Sequence, residues 1–257
     1  MLRIRVIPCL LLKDGSLVKT VRFNKLSYIG DPVNTVRIFN ELEVDELMFL
    51  DIFASKEKRS INFNMLHQIA DECFMPLSYG GNIQSVEQAK KIFGIGFEKI
   101  IVNSNAFKNL KLIEDLSSYF GSQSIVGSID VKRDIWGKER IYSHHGKKKQ
   151  KDDLIVWAKH LENSGVGELM ITSIDREGSW EGYDINIMRR ITENVQVPVI
   201  ANGGAGSIKD IHNVVKEGGV SACAVGSMVV YQKKGMGVLV NFPDRRELNS
   251  CSEMLSI

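Results

Sequence analysis

The chain has 257 residues, 44% of them apolar and 25% charged, with a net charge of +2. That composition suits one globular domain and excludes a disordered or fibrous chain. The near-neutral balance speaks against bulk affinity for nucleic acid or a membrane surface, and no apolar run approaches a membrane span. The four cysteines, Cys9, Cys73, Cys223 and Cys251, show no Cys-x-x-Cys spacing. Cys9 and Cys223 lie in apolar runs, so buried reduced thiols and a cytoplasmic location are expected. The N-terminus lacks a signal-peptide core.

Taken in order, the first predicted strand is 3–12, almost continuously apolar after Arg5. That is the pattern of a parallel strand buried on both faces. Lys13-Asp14-Gly15 signals a turn, and 17–23 reads as a short hairpin excursion carrying Lys19. Asp31 and Pro32 fit the N-cap and first helical position of a helix reaching about residue 42. The second strand starts at Glu46 and runs to 52, with Asp51 at its end. Ser60 is the expected cap of the next helix, which extends to about 74. The third strand is 76–79, and Ser85 caps the helix after it, with Glu87 in the first turn. Strand four is 99–103, a helix spans roughly 110–120, and strand five is 124–130, ending in Asp130. Residues 132–153 are polar, basic and poorly periodic, and read as a long loop or hairpin. A helix over 154–164, strand six over 168–173, a polar loop over 175–183 and a helix from Asp184 to about 194 follow. Strands seven and eight lie within 197–227. Beyond Ser227 the segment 238–243 looks extended, and any closing helix over 245–255 would be short.

Two stretches share one design. Residues 75–104 and 197–227 each read as apolar run, Gly-Gly turn, serine-capped amphipathic segment and second apolar run. This is the βαβ unit of a parallel sheet. Pro76 and Pro198, Gly81 and Gly203, and Ser85 and Ser207 are each 122 residues apart, and Val44-Asp45-Glu46-Leu47-Met48 matches Val166-Gly167-Glu168-Leu169-Met170 at the same offset. A half-length repeat of βα units predicts a (β/α)₈ TIM barrel built of two half-barrels, and about 250 residues is its usual size. One domain over 1–257, atypical after about residue 230, is expected.

In such a barrel, polar residues at the C-terminal strand ends face the active site. Here those are Asp51, Asn103, Asp130, Thr172, Asn202 and Ser227, with Lys19 nearby. The duplicated Gly-Gly turns, with Ser104, Gly226 and Ser227, can offer N–H groups and hydroxyls to anions at helix N-termini. For a lone Gly-Gly turn tight strand–helix packing is the plainer reading, but the duplication shifts the balance toward a small-molecule substrate phosphorylated at both ends. Asp130 ends an apolar strand, so burial should raise its pKa toward an acid/base range, although a turn-forming role is open. Arg5, Glu46, Lys99 and Glu168 sit at strand starts and place two cations and two anions at the barrel bottom. That set reads as a structural salt-bridge layer or as a gate for a small molecule. No cofactor or metal is expected. The run Lys147-Lys148-Lys149 with Lys151 is a solvated loop or a phosphate clamp, and Trp157 packs on a helix while Trp180 could cover the mouth.

Several stretches together carry a specific resemblance. They include Ile7-Pro8-Cys9-Leu10, Gly30-Asp31-Pro32, Phe49-Leu50-Asp51-Ile52, Phe120-Gly121-Ser122-Gln123, Thr172-Ser173-Ile174-Asp175-Arg176, Gly182-Tyr183-Asp184 and Gly203-Gly204-Ala205-Gly206. Over about residues 1–230 the chain resembles the cyclase subunit of imidazole glycerol phosphate synthase, the HisF family. The resemblance implies a (β/α)₈ barrel and a glutaminase (HisH-like) partner at the N-terminal face. Ammonia would pass from that partner through the barrel to a bisphosphorylated ribonucleotide. It implies that Arg5, Glu46, Lys99 and Glu168 form the ammonia gate, and that Gly81, Asn103, Ser104, Gly178, Gly204, Gly226 and Ser227 bind phosphate, with Lys19 and Asp51 also matched. Asp130 matches one of the family's two catalytic carboxylates.

The departures are also specific. Leu11 stands where the family has its other catalytic aspartate, Asn82 where it has a third glycine, and Glu177 where it has an aspartate. A leucine cannot transfer a proton, and a general acid or base typically contributes about 10²–10⁴-fold in rate. Some HisF-like proteins look like ammonia-supplying partners in amidation of an acetamido sugar for surface polysaccharide, alongside a sugar amidotransferase. An intact gate with Leu11 fits that role in lipopolysaccharide biosynthesis. A true cyclase of histidine biosynthesis, with His145 as second proton donor, and a scaffold that only activates a glutaminase are the other readings.

Overall fold

The computed structural model describes residues 4–244 and 246–248. Eight parallel strands form its frame: β1 Arg5–Lys13, β2 Leu47–Asp51, β3 Leu77–Gly80, β4 Lys99–Val102, β5 Ile125–Arg133, β6 Glu168–Ser173, β7 Val199–Asn202 and β8 Ala222–Val225. Each pairs in parallel with the next, β8 returns to β1, and the sheet is closed. The fold is a (β/α)₈ barrel.

Local chemistry sets the elements. Asp31 accepts the Asn34 N–H at 2.8 Å and caps helix Pro32–Glu41, and Asp184 caps Ile185–Thr192. One expected cap is corrected: Asn62, not Ser60, accepts from the Met65 N–H and starts Phe63–Glu72. A separate short helix, Ala54–Glu57, precedes it, and its left-handed end at Lys58 breaks the run.

Two hairpins rise from the C-terminal ends of the barrel strands. Ser16–Lys19 turns back on β1 and pairs antiparallel with Ser27–Gly30. The polar stretch after Asp130 is a hairpin: β5 continues past Asp130 to Arg133, and Glu139–Ser143 pairs with it antiparallel. The basic residues Lys147, Lys148 and Lys149 are exposed on this excursion.

The larger apolar core lies between strands and helices. Trp157 is buried there, stacked on Phe107 with ring centroids 4.2 Å apart. A second, smaller cluster fills the barrel itself, with Ile7, Cys9, Leu11, Met48, Ile101 and Met170 among its members. The closing element is short, Ser227–Val230. The chain then makes a tight return: Tyr231 bridges Val238, and the Leu239 N–H donates to the Val230 carbonyl at 3.0 Å. The expected closing helix over 245–255, and Cys251, fall largely or wholly outside the described residues.

Candidate functional site

A pocket opens at the C-terminal strand ends. All the sequence-selected top-face residues line it: Lys19, Asp51, Gly81, Asn103, Ser104, Asp130, Thr172, Gly178, Asn202, Gly204, Gly226 and Ser227. Strand register brings the polar ends level, with Thr172 beside both Asp130 and Asn202.

Asp130 is the chemical centre. Burial pushes its carboxyl up to about 7, against hydrogen bonds from Asn103 and Thr172. The Asn202 amide donates to the Thr172 hydroxyl at 3.0 Å, which extends the chain of polar contacts. Asn103 Oδ1 is buried without a partner among the described residues. A buried unsatisfied acceptor in a pocket suits a ligand N–H or O–H.

Lys19 is buried too. Its ammonium donates to the Cys9 carbonyl at 2.9 Å, and burial lowers its pKa. Burial raises the Asp51 carboxyl, against the Arg59 guanidinium that holds both its oxygens at 2.9 and 3.1 Å. Asp51 therefore reaches the pocket as half of an ion pair.

The turns behave differently from the simplest anion-site picture. Both helix N-termini already have a capping partner within the chain. Ser85 accepts from the Gln88 N–H, and Asp210 accepts from the Gly206 N–H and the Ser207 hydroxyl, each at 3.0 Å. The Ser104 hydroxyl accepts from the His144 N–H at 2.9 Å. What remains on the pocket wall is the turns themselves. Gly204 is required there: its φ is +115°, and a β-carbon would collide with the Gly182 carbonyl.

Three further pocket residues carry weight. Glu177 is buried, with its carboxyl raised by burial; it accepts from the Thr20 hydroxyl at 2.9 Å and the Phe23 N–H at 3.1 Å. Its sequence signal was only an Arg-Glu-Gly turn. His145 stacks on Phe23 with centroids 5.0 Å apart, and burial with Lys56 and Lys147 nearby pushes its pKa down to about 4. That favours the neutral imidazole at neutral pH. Asn82 has φ +53°, a left-handed conformation in which Asn is the best-tolerated replacement for Gly. Its amide donates to the Arg59 carbonyl at 2.8 Å and accepts from Gln84 at 2.9 Å. An asparagine is thus accommodated in this turn. Leu11 lines the same pocket as Asp130. None of Lys147, Lys148, Lys149 and Lys151 does, so a phosphate clamp from that run finds no support.

At the opposite end, Arg5, Glu46, Lys99 and Glu168 close into a ring. Arg5 lies 3.1 Å from Glu46 and 2.6 Å from Glu168; Lys99 lies 3.1 Å from Glu168 and 3.6 Å from Glu46. Between ring and pocket stand the apolar side chains of the inner cluster. Among the described residues no group of three or more His, Cys, Asp or Glu side chains could hold a metal ion, and no helix is long and apolar enough to cross a membrane.

Comparison with known proteins gives consistent relatives. Residues 5–235 match the family model described as "Histidine biosynthesis protein". The chain is 48% identical to the Pseudomonas aeruginosa protein named "Putative imidazole glycerol phosphate synthase subunit hisF2", over 97% of this chain and 99% of that one. It is 43% identical to a Leptospira interrogans protein named "Putative imidazole glycerol phosphate synthase subunit HisF", over 96% and 98%. It is 40% identical to "Imidazole glycerol phosphate synthase subunit HisF" of Alkaliphilus metalliredigens, over 89% and 91%.

Proposed function

The chain belongs to the histidine biosynthesis protein family as a HisF-type synthase subunit, and from that premise we propose that it passes ammonia from a glutaminase to an acceptor at the barrel top. The glutaminase, a HisH-like subunit, docks at the N-terminal face around the ring. The acceptor is a phosphorylated small molecule, an acetamido sugar being amidated for surface polysaccharide, with a sugar amidotransferase completing the chemistry.

The observation that carries this reading is the contrast between a complete ring and a pocket with Leu11 facing the space of Asp130. The apolar interior beyond the ring favours neutral ammonia, because an ammonium ion there would be desolvated without a partner. Lys99 holds Glu46 at 3.6 Å, the longest link of the ring, so its swing is the least costly way to open it. Asp130, titrating near 7, can take a proton from or return one to a group in the pocket. Cyclisation needs a second proton-transfer group, and Leu11 is not one.

A second reading has one observation in its favour. Glu177 places another buried carboxyl with a raised pKa on the pocket wall. With it, the chain would be a true cyclase forming imidazole glycerol phosphate.

The test mixes the chain with its glutaminase, glutamine and the bisphosphorylated ribonucleotide. Stimulated glutamine hydrolysis without imidazole glycerol phosphate is expected. Product at about 1 s⁻¹, an ordinary enzyme rate, would overturn the first reading in favour of the cyclase. Lys99→Ala should uncouple glutamine hydrolysis from transfer; unchanged coupling would leave only a scaffold that activates the glutaminase. Leu11→Asp should raise cyclase activity if that carboxylate alone is missing.

A further inference from the structure

A second cavity adjoins the main pocket and is not used by the ammonia-transfer reading. Lys19, Thr20, Gly178 and Ser227 line both cavities, so the two share a wall. The outer cavity is a groove between three excursions. The turn after Ser16–Lys19 gives Arg22 and Lys25, the loop after β6 gives Trp180 and Glu181, and the return after Ser227–Val230 gives Tyr231 and Lys234. The last of these belongs to the segment whose sequence is atypical for a closing barrel helix.

Cations outnumber carboxylates on this groove. Arg22, Lys25 and Lys234 have no salt-bridge partner among the described residues, and Glu181 is the one carboxylate on the described lining. Lys19, buried at the shared wall, bonds to the Cys9 carbonyl with Glu177 nearby and stands apart from these three. Cations clustered in a concave surface create a positive potential that an anion relieves. The loops that present them are fixed. The Arg22 N–H donates to the Glu177 carbonyl at 2.9 Å, the Gln232 N–H to the Gly237 carbonyl at 3.1 Å and the Met236 N–H to the Lys233 carbonyl at 3.0 Å. Arg22 and Trp180 both hold left-handed backbone, φ +55° and +64°. Such conformations persist only where the surroundings impose them.

The walls are not only cationic. Trp180 and Tyr231, both half-buried, line the same groove as the three cations. A lone phosphate would use the cations and ignore the rings. A diphosphate joined to an aromatic base uses both, with charge-assisted bonds at one end and stacking at the other.

We infer that this groove binds a nucleoside diphosphate, the activated end of the acceptor whose other end enters the main pocket. The inference rests on the proposed function only in taking the acceptor to be phosphorylated. It adds that the acceptor is nucleotide-activated and that the C-terminal return is part of its binding site. Arg22, Lys25 and Lys234 are binding residues here and take no part in proton transfer. The ligand crosses the shared wall past Gly178 and Ser227. Gly178 has φ +69°, and a β-carbon there would strike the Thr20 carbonyl, so the wall stays low at the crossing.

The experiment is calorimetric titration of the full chain, without glutaminase, with UDP, ADP and inorganic diphosphate as probes. Arg22→Glu and Lys234→Glu change residues that line the groove and not the main pocket, and both are exposed, so folding is not at stake. At least one nucleotide should bind, more tightly than inorganic diphosphate. Each charge reversal should weaken it about tenfold or more, the scale of a lost hydrogen bond to a charged group. Trp180→Phe should weaken the nucleotide and leave inorganic diphosphate unchanged. Absence of nucleotide binding at millimolar concentration overturns the inference. So does inorganic diphosphate binding as tightly as the nucleotides, or binding indifferent to both charge reversals. No ammonia is involved, so failure here leaves the transfer reading standing, and failure of the Lys99→Ala coupling test leaves this one standing.

Discussion

The two ends of the barrel handle buried charge in opposite ways. At the bottom, each of Arg5, Glu46, Lys99 and Glu168 has two partners of opposite sign within 4 Å. At the top, Asp51 is paired with Arg59 and Lys19 lies near Glu177, but Asp130 has only neutral partners, Asn103 and Thr172. Burial without a counter-ion moves a carboxyl's pKa toward the neutral form, as at Asp130. The top therefore holds a buried carboxyl, Asp130, placed to exchange a proton, which is where acid/base chemistry is expected.

Removing the exchanging group should have the largest effect. Asp130→Asn is expected to lower transfer to the acceptor by about 10²-fold or more while glutamine hydrolysis continues, as seen by assaying glutamate and product in parallel. Equal loss of both would mean that Asp130 supports the fold or the complex and not the chemistry.

The next effect concerns the paired end. Glu168→Gln leaves Arg5 and Lys99 without their shared carboxylate, and breaking a buried pair costs about 3 kcal/mol; partial exposure of the two cations reduces this to roughly 1–2 kcal/mol. Urea denaturation of mutant and wild type reads it directly. A cost near zero would show that water replaces the carboxylate and that the ring is open in solution.

Titration sharpens the contrast. The Asp130 carboxyl is raised from 3.8 to about 7 by burial. It binds its proton more tightly folded than unfolded, so its stabilising share is full below pH 3.8 and is lost as pH rises toward 7. Asp130→Asn should then be the more stable protein at pH 8, by at most about 4 kcal/mol, with the advantage shrinking on acidification. Denaturation midpoints at several pH values test this; a constant difference would place Asp130 in a wetter site.

The smallest expected effect is at Asn82. Asn82→Gly relaxes a left-handed residue but removes its side-chain bonds to Arg59 and Gln84, for a net loss of about 1 kcal/mol. A gain in thermal midpoint would show that backbone strain outweighs those bonds.

The sequence by itself determined the barrel. Buried parallel strands need continuous apolar runs, and the 122-residue offset between Gly81 and Gly203 repeats them, so strand count and closure could be read from pattern alone. It also determined the membership of the two charged ends. Strand direction sends residues at strand starts to the bottom and those at strand ends to the top; Glu168 and Asp130 needed no contact map. Tertiary structure decided the rest. Ser60 and Asn62 are both good caps by residue type, and the folded helix Phe63–Glu72 uses Asn62. His145 became a neutral, stacked side chain because a hairpin folds it against Phe23, a contact 122 residues away in sequence. The groove joining Arg22, Trp180 and Lys234 brings together three segments that no local pattern connects. Local sequence fixes periodicity and caps over a few residues, while burial, and with it every shifted pKa here, depends on which distant chain segments exclude water.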